Sequence, residues 1–125
     1  MPASKTILVV EDELSVSKVL KDKLSRAGFR MLTAANGAEG LRSALRHHPD
    51  LILLDIIMPV MDGMTMLKKL RQDKWGKKAE IIILTNLSDT KDVADALRAG
   101  AYDYLVKANW SLESLVRRVK DRLGV

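Results

Sequence analysis

The chain reads as an α/β domain of five consecutive strand–helix units, in which a five-stranded parallel sheet carries helices on both faces. Two observations predict it. Short apolar runs alternate with amphipathic helical stretches from end to end. The strand-like runs are also apolar without a break, as expected of strands buried on both faces, whereas strands with one wet face alternate apolar and polar residues.

The elements follow in order. Thr6–Val10 (TILVV) is the first strand, and Glu13–Ala27 is a helix whose Leu14, Val19, Leu20, Leu24 and Ala27 recur at helical spacing. Gly28 stops it, because glycine enters the left-handed region at little cost. Arg30–Ala35 is a second, more polar strand. Asn36-Gly37 then turns into a helix with Leu41, Ala44 and Leu45 inward, ending before Pro49. Leu51–Leu54 is a third strand that stops at Asp55. After the loop IIMPVMDG, Met64–Gln72 is helical. Ile81–Leu84 is the fourth strand, Asp89 caps a helix from Thr90 to Ala99, and Gly100 closes it. Tyr102–Val106 is the fifth strand. The last helix, Ser111–Leu123, is led by Leu112, Leu115, Val116, Val119 and Leu123. No linker, repeat or low-complexity segment interrupts the series, so residues 1–125 are expected to form one domain with its core over about 6–123.

Composition excludes several classes of function. The 125 residues, 47% of them hydrophobic, suffice for one buried core. With no cysteine there is no disulfide framework, thiolate metal site or thiol nucleophile. No apolar stretch approaches the roughly 18 residues of a membrane span, and the N-terminus has no signal-peptide core. A soluble, cytoplasmic protein without a membrane partner is expected. The net charge of +5 allows an acidic partner, but 21 basic residues are interspersed with 16 acidic ones. That is the pattern of a solvated basic surface, and nucleic acid is not expected to bind this domain alone.

Parallel sheets of this kind bind ligands beyond the carboxyl ends of their strands. Here the first strand ends in Glu11-Asp12, the third in Asp55, the fourth in Thr85 and the fifth in Lys107. With strand order 2-1-3-4-5 the first and third strands are neighbours, and their three carboxylates converge. Adjacent carboxylates repel unless a cation lies between them. Mg²⁺ suits them best, since it retains waters and takes one or two carboxylates plus phosphate oxygens. Screened by such an ion, an Asp55 oxygen can attack phosphorus. Lys107 would balance further charge, and the Thr85 hydroxyl could donate to a phosphoryl oxygen.

These segments resemble the receiver domains of two-component response regulators, chemotaxis-regulator-like domains of flavodoxin-like fold. ILVVEDE is similar to the family's first-strand acidic motif, LILLDIIMPVMDG to its phosphoacceptor segment, and IIILT and AYDYLVK complete the pattern over Thr6 to about Leu123. The resemblance implies that Asp55 is the phosphoacceptor and that Asp12 ligates Mg²⁺ directly, with Glu11 acting through water. It also implies that Ile57 offers its backbone carbonyl to the metal. Thr85 and Tyr104 would be the switch pair, and Lys107 the phosphoryl-binding lysine. The implied phosphodonor is a sensor histidine kinase or a phosphotransfer protein. The implied readout is a downstream protein on the face of the fourth helix, fifth strand and fifth helix, with the domain a monomer or a phosphorylation-induced dimer.

The pattern is not followed everywhere. Ala108 stands where the family usually has proline after the lysine, and a cis bond before alanine costs roughly 3–4 kcal/mol, so the 107–108 bond is expected to be either trans, with a reshaped loop over residues 107–110, or cis under strain. Asn86 stands where a small residue is common. Apolar Ile57 and Leu87 occupy positions where polar residues can orient an attacking water, which implies slow self-dephosphorylation.

Other positions have ordinary readings. Tyr104 could be a strand-end aromatic with a wet hydroxyl, and Trp110 a helix-entry packing residue. His47 and His48 suit a helix C-terminus as solvated residues. The run Lys68, Lys69, Arg71, Lys74, Lys77 and Lys78 reads as a solvated rim, and so do Arg117, Arg118, Lys120 and Arg122.

Two other functions compete. An aspartate-nucleophile phosphohydrolase wants a second acid two residues after the nucleophile, where this chain has Ile57. A receiver-like interaction module without phosphate turnover would not need Glu11, Asp12, Asp55, Thr85 and Lys107 together. No output domain follows the last helix within these 125 residues, which fits either a stand-alone regulator or part of a longer chain.

Overall fold

A computed structural model describes residues 4–55, 58, 60–85, 94, 95, 97, 98, 100, 103–106 and 111–125, the side chains of 85 and 103–106 excepted. Five parallel strands form one sheet in the order β2-β1-β3-β4-β5. They are β1 Thr6–Val10, β2 Arg30–Ala34, β3 Leu51–Asp55, β4 Ile81–Thr85 and β5 Asp103–Val106. The helices are α1 Leu14–Arg26, α2 Gly37–His47, α3 Gly63–Arg71 and a C-terminal helix Leu112–Leu123, with a 3₁₀ turn at Gly76–Lys78. Ala94, Asp95, Leu97 and Arg98 are helical, and Gly100 follows at φ 92°. The predicted cap Asp89, the start of that helix at Thr90 and the strand start Tyr102 lie outside the described residues.

The alternation of side chains along each strand builds two cores. Leu8, Val10, Ile52, Leu54, Ile81 and Ile83 point to one face and pack with Ala44, Met66, Leu67 and Leu70 of α2 and α3. Ile7, Val9, Leu51, Leu53, Ile82 and Leu84 point to the other and pack with Leu20 and Leu24 of α1 and with Leu115 and Val119 of the C-terminal helix. The twelve strand residues are fully buried, which accounts for their unbroken apolar runs.

Three predicted inward positions face outward instead. Leu14 is 70%, Val19 47% and Leu45 37% exposed. The buried stripe of α1 is Ser17, Leu20 and Leu24. At about 100° per residue, Val19 and Leu14 fall to either side of that stripe. On α2 the buried residues are Gly37, Gly40 and Ala44, and Leu45 is one step past that line.

Caps set the helix starts. The Asn36 side chain accepts from the Glu39 N–H at 2.9 Å, Asp62 from Thr65 at 2.8 Å and Ser111 from Ser114 at 3.1 Å. Gly28, at φ 100°, ends the turn after α1 as its sequence predicts.

Candidate functional site

Strand register brings the acidic residues together. Val10 of β1 pairs with Leu54 of β3, so the next residues along each strand, Glu11 and Asp55, stand side by side. The period of two then gives both of them the parity of Val9 and Leu53, on the α1 face of the sheet. Glu11 extends the sheet by donating its N–H to the Ala34 carbonyl at 3.0 Å. Its Oε1 accepts from the Glu13 N–H at 3.2 Å, at the entry to α1. That bond fixes the sharp turn through Asp12.

Carboxylate oxygens of Glu11, Asp12 and Asp55 all lie within 4.8 Å of one another. Glu11 is 1% and Asp55 5% exposed, while Asp12 faces solvent. Two buried acids beside a third would repel strongly if all were charged, and a hard divalent cation is the economical remedy. The spread and the oxygen donor set fit Mg²⁺. Oxygens on opposite sides of an octahedral Mg²⁺ are about 4.2 Å apart, close to the 4.8 Å within which these carboxylate oxygens lie.

The loop after Asp55 is tied down at its far end. Met61 gives its carbonyl to the Gly37 N–H at 2.9 Å, at the start of α2. A Cβ on Gly37 would collide with that same Met61 oxygen, so the close approach requires glycine. Between the two anchors Val60 is 84% exposed at φ 68°, a left-handed conformation that a β-branched residue adopts only under constraint.

Of the other predicted site residues, Thr85 ends β4 with its backbone paired to Val106, one register step beyond the Asp55–Leu84 pair. Tyr104 sits in β5 opposite Ile83. Ile57, Asn86, Leu87, Lys107, Ala108 and Trp110 lie outside the described residues.

The basic residues need two corrections. Arg71 belongs to no solvated rim. Its Nη1 donates to the carbonyls of Gly76 at 2.6 Å and Ala79 at 2.9 Å, and its Nη2 to that of Gly100 at 2.9 Å. Burial pushes the guanidinium below the usual arginine range, partly offset by the charge of Glu80, and it stays protonated at any working pH. Arg122 likewise grips Glu80 Oε2 through Nε at 2.7 Å and Nη2 at 2.6 Å. Neither role is visible in local sequence, since each partner lies far along the chain or in a carbonyl. His47 and His48 are exposed at the end of α2 as expected, but the His48 ring also stacks on Trp75, with centroids 4.3 Å apart.

Comparison with known proteins agrees with this geometry. The family described as the response regulator receiver domain matches residues 7–120. The transcriptional regulatory protein PrrA of Mycobacterium tuberculosis is 43% identical over 117 residues, covering 94% of this chain and 49% of that protein. A putative response regulator from Chloroflexus aurantiacus has a crystal structure that superposes with a TM-score of 0.89 at 34% identity, covering 98% of this chain and all (100%) of that one. The receiver domain of a sensor histidine kinase from Pseudomonas aeruginosa, crystallised with magnesium in its active-site cleft, has a TM-score of 0.88 at 33% identity, covering 98% of this chain and 100% of its own. The chain belongs to the response regulator receiver domain family and is a signalling domain of two-component systems. It spans about half the length of the curated relatives it matches, 48–50% of each. Among the described residues no helix is long and apolar enough to cross a membrane.

Proposed function

We propose that this domain, folding as one unit over residues 1–125, is a phosphorylation-activated switch in which Asp55 accepts a phosphoryl group from the phosphohistidine of a histidine kinase or phosphotransfer protein. The observation that carries the reading is the acidic trio, with two buried members and one exposed within 4.8 Å at adjacent strand ends. Asp12, Asp55 and the backbone carbonyl of Ile57 would hold Mg²⁺, with Glu11 acting through water. Bound there, the ion supplies positive charge that lets an anionic phosphoryl group approach an anionic nucleophile.

An Asp55 carboxylate oxygen bonds to phosphorus as the phosphorus–nitrogen bond of the donor breaks, and the electron pair returns to the imidazole. Asp55 stands at the end of β3, buried beside Glu11. Lys107 neutralises charge on the product, and Thr85 donates to a phosphoryl oxygen. Reversing a switch from 1:99 to 99:1 takes about 5.5 kcal/mol. Charge-assisted hydrogen bonds from Thr85 and Lys107, at roughly 1.5–3 kcal/mol each, supply most of that. Tyr104 follows Thr85, and the face of the helix preceding Gly100, β5 and the C-terminal helix presents the result to a protein partner. The apolar residues Ile57 and Leu87 leave the phosphoryl group long-lived.

The test is incubation with a small-molecule phosphodonor, with and without Mg²⁺, read by intact mass and phosphate release. A single stable phosphate that needs Mg²⁺ and disappears in Asp55→Asn supports the switch. Continuous phosphate release identifies a phosphohydrolase, and no modification under either condition leaves only an interaction module.

A further inference from the structure

The opposite edge of the sheet carries a second charged feature that the phosphoryl site does not use. Lys68, Arg71 and Gln72 at the end of α3, Lys77 of the 3₁₀ turn, and Arg98 with Gly100 line a groove of about 560 Å³. Four of these six residues are cationic and none is acidic. Lys68, Gln72, Lys77 and Arg98 are exposed, and the exposed Lys69, Lys74 and Lys78 flank them. Two of the described acids of this region are engaged elsewhere, and a third pairs with a cation of the groove. Asp73 accepts from the Gly76 N–H at 2.9 Å, and Glu80 holds Arg122. Asp95 approaches Arg98 from the helical side at 3.4 Å.

We propose that this groove is a docking site for an acidic segment of a partner protein, one that presents several carboxylates together. Charge complementarity selects an anion, and the walls decide which kind. Both are helix C-termini: α3 ends at Arg71, and the helical residues ending at Arg98 are closed by the Gly100 N–H on the Leu97 carbonyl at 3.0 Å. A helix C-terminus directs carbonyls, not N–H donors, at its ligand, so the backbone cradle that compact phosphates favour is missing from these walls. The best phosphate fork is committed as well, because the Arg71 guanidinium is spent on three carbonyls. Those bonds orient it without removing its charge, and it forms a fixed positive floor. The mobile cations above it are mainly lysines, point charges on flexible stems that adapt to separately spaced carboxylates. Among the described residues no aromatic ring lines the groove to stack a base.

The probe is a fluorescein-labelled peptide of glutamate–alanine repeats, titrated with the whole chain and followed by anisotropy. Removing one exposed charge weakens such binding about 1.5- to 5-fold, so Lys68→Gln/Lys77→Gln/Arg98→Gln should weaken it about tenfold. The charge-matched control Lys18→Gln/Lys21→Gln/Arg42→Gln should stay within about twofold, and wild-type binding should fade as salt rises and the screening length shortens below about 10 Å. Backbone amide shifts of the wild type on adding peptide should cluster at Lys68, Gln72, Lys77 and Arg98, which decides the matter if the triple variant does not fold. No binding by the wild type, equal loss in both variants, or shifts centred elsewhere overturns the proposal. So does displacement of the peptide by pyrophosphate or a short DNA duplex at lower concentration than by unlabelled peptide.

Discussion

Asp55→Asn removes one negative charge from a side chain that is 5% exposed and shares a 4.8 Å cluster with the oxygens of Glu11 and Asp12. Two unit charges 4.8 Å apart, at an effective dielectric constant of about 20, repel by roughly 3.5 kcal/mol. Not all of this is recoverable. Solvent screens the exposed Asp12. Loss of whatever favourable interaction the carboxylate makes acts in the opposite direction. A net gain of about 1–2 kcal/mol remains, which for a domain of this size raises the unfolding midpoint by roughly 3–8 °C.

The assay is thermal unfolding of both proteins in chelator, repeated with saturating Mg²⁺. Ligand at a hundred times its Kd stabilises the wild type by about 2.7 kcal/mol. The variant, with one proposed ligand changed to an amide, should lose most of that. The order of stability should therefore narrow or reverse when Mg²⁺ is added. If Asp55→Asn is the less stable protein in chelator, mutual repulsion does not dominate the cluster; if Mg²⁺ raises both midpoints equally, Asp55 is not one of the metal's ligands.

Three further substitutions probe the supports of the site. Gly40→Ala puts a Cβ 2.8 Å from both Cγ atoms of Val10 and 3.0 Å from the Met66 sulfur, and should cost about 1–3 kcal/mol by urea unfolding. Val60→Asn keeps the left-handed φ of 68° with a residue that tolerates it, and should stabilise by about 1 kcal/mol with no change in the urea m-value. Arg71→Met removes three hydrogen bonds to carbonyls that water can partly reach, and should cost about 2–3 kcal/mol while speeding amide exchange around Gly100.

What could be read in the residues depended on how local the signal was. The strands were legible because burial on both faces leaves an unbroken apolar run such as LILL before Asp55. Helix ends were legible where a turn or glycine marks them, as at Asn36-Gly37 and Gly28, whereas the caps Asp62 and Ser111 were not singled out. The pairing of Glu11 with Asp55 required only a strand order, since the register of Val10 on Leu54 does the rest. Leu14, Val19 and Leu45 were misplaced because hydrophobicity marks a stripe broader than the one the sheet actually covers. Arg71 could not be found at all. Its partners are main-chain carbonyls, one of them 29 residues away, and a carbonyl has no sequence signature.

Arg71 also bears on how the two edges of the sheet communicate. A five-residue strand such as β3 spans roughly 16 Å, longer than the screening length of about 10 Å at ordinary ionic strength. The basic groove therefore adds little direct field at Asp55, and an anion seated in it should not attract or repel an incoming phosphoryl group. Influence between the edges has to travel through packing, and the Arg71–Gly100 bond is a physical link from the end of α3 to the segment that enters β5, the strand carrying Tyr104. Arg71→Met should accordingly leave phosphorylation of Asp55 by a small-molecule donor within about twofold of wild type. Any effect should fall instead on how β5 and the C-terminal helix answer the phosphate, seen as amide shifts of Asp103–Val106 and Leu112–Leu123 that change size on phosphorylation. A variant that loses phosphate acceptance, with its Mg²⁺ binding intact, would show that the clamp shapes the chemistry and not only its transmission.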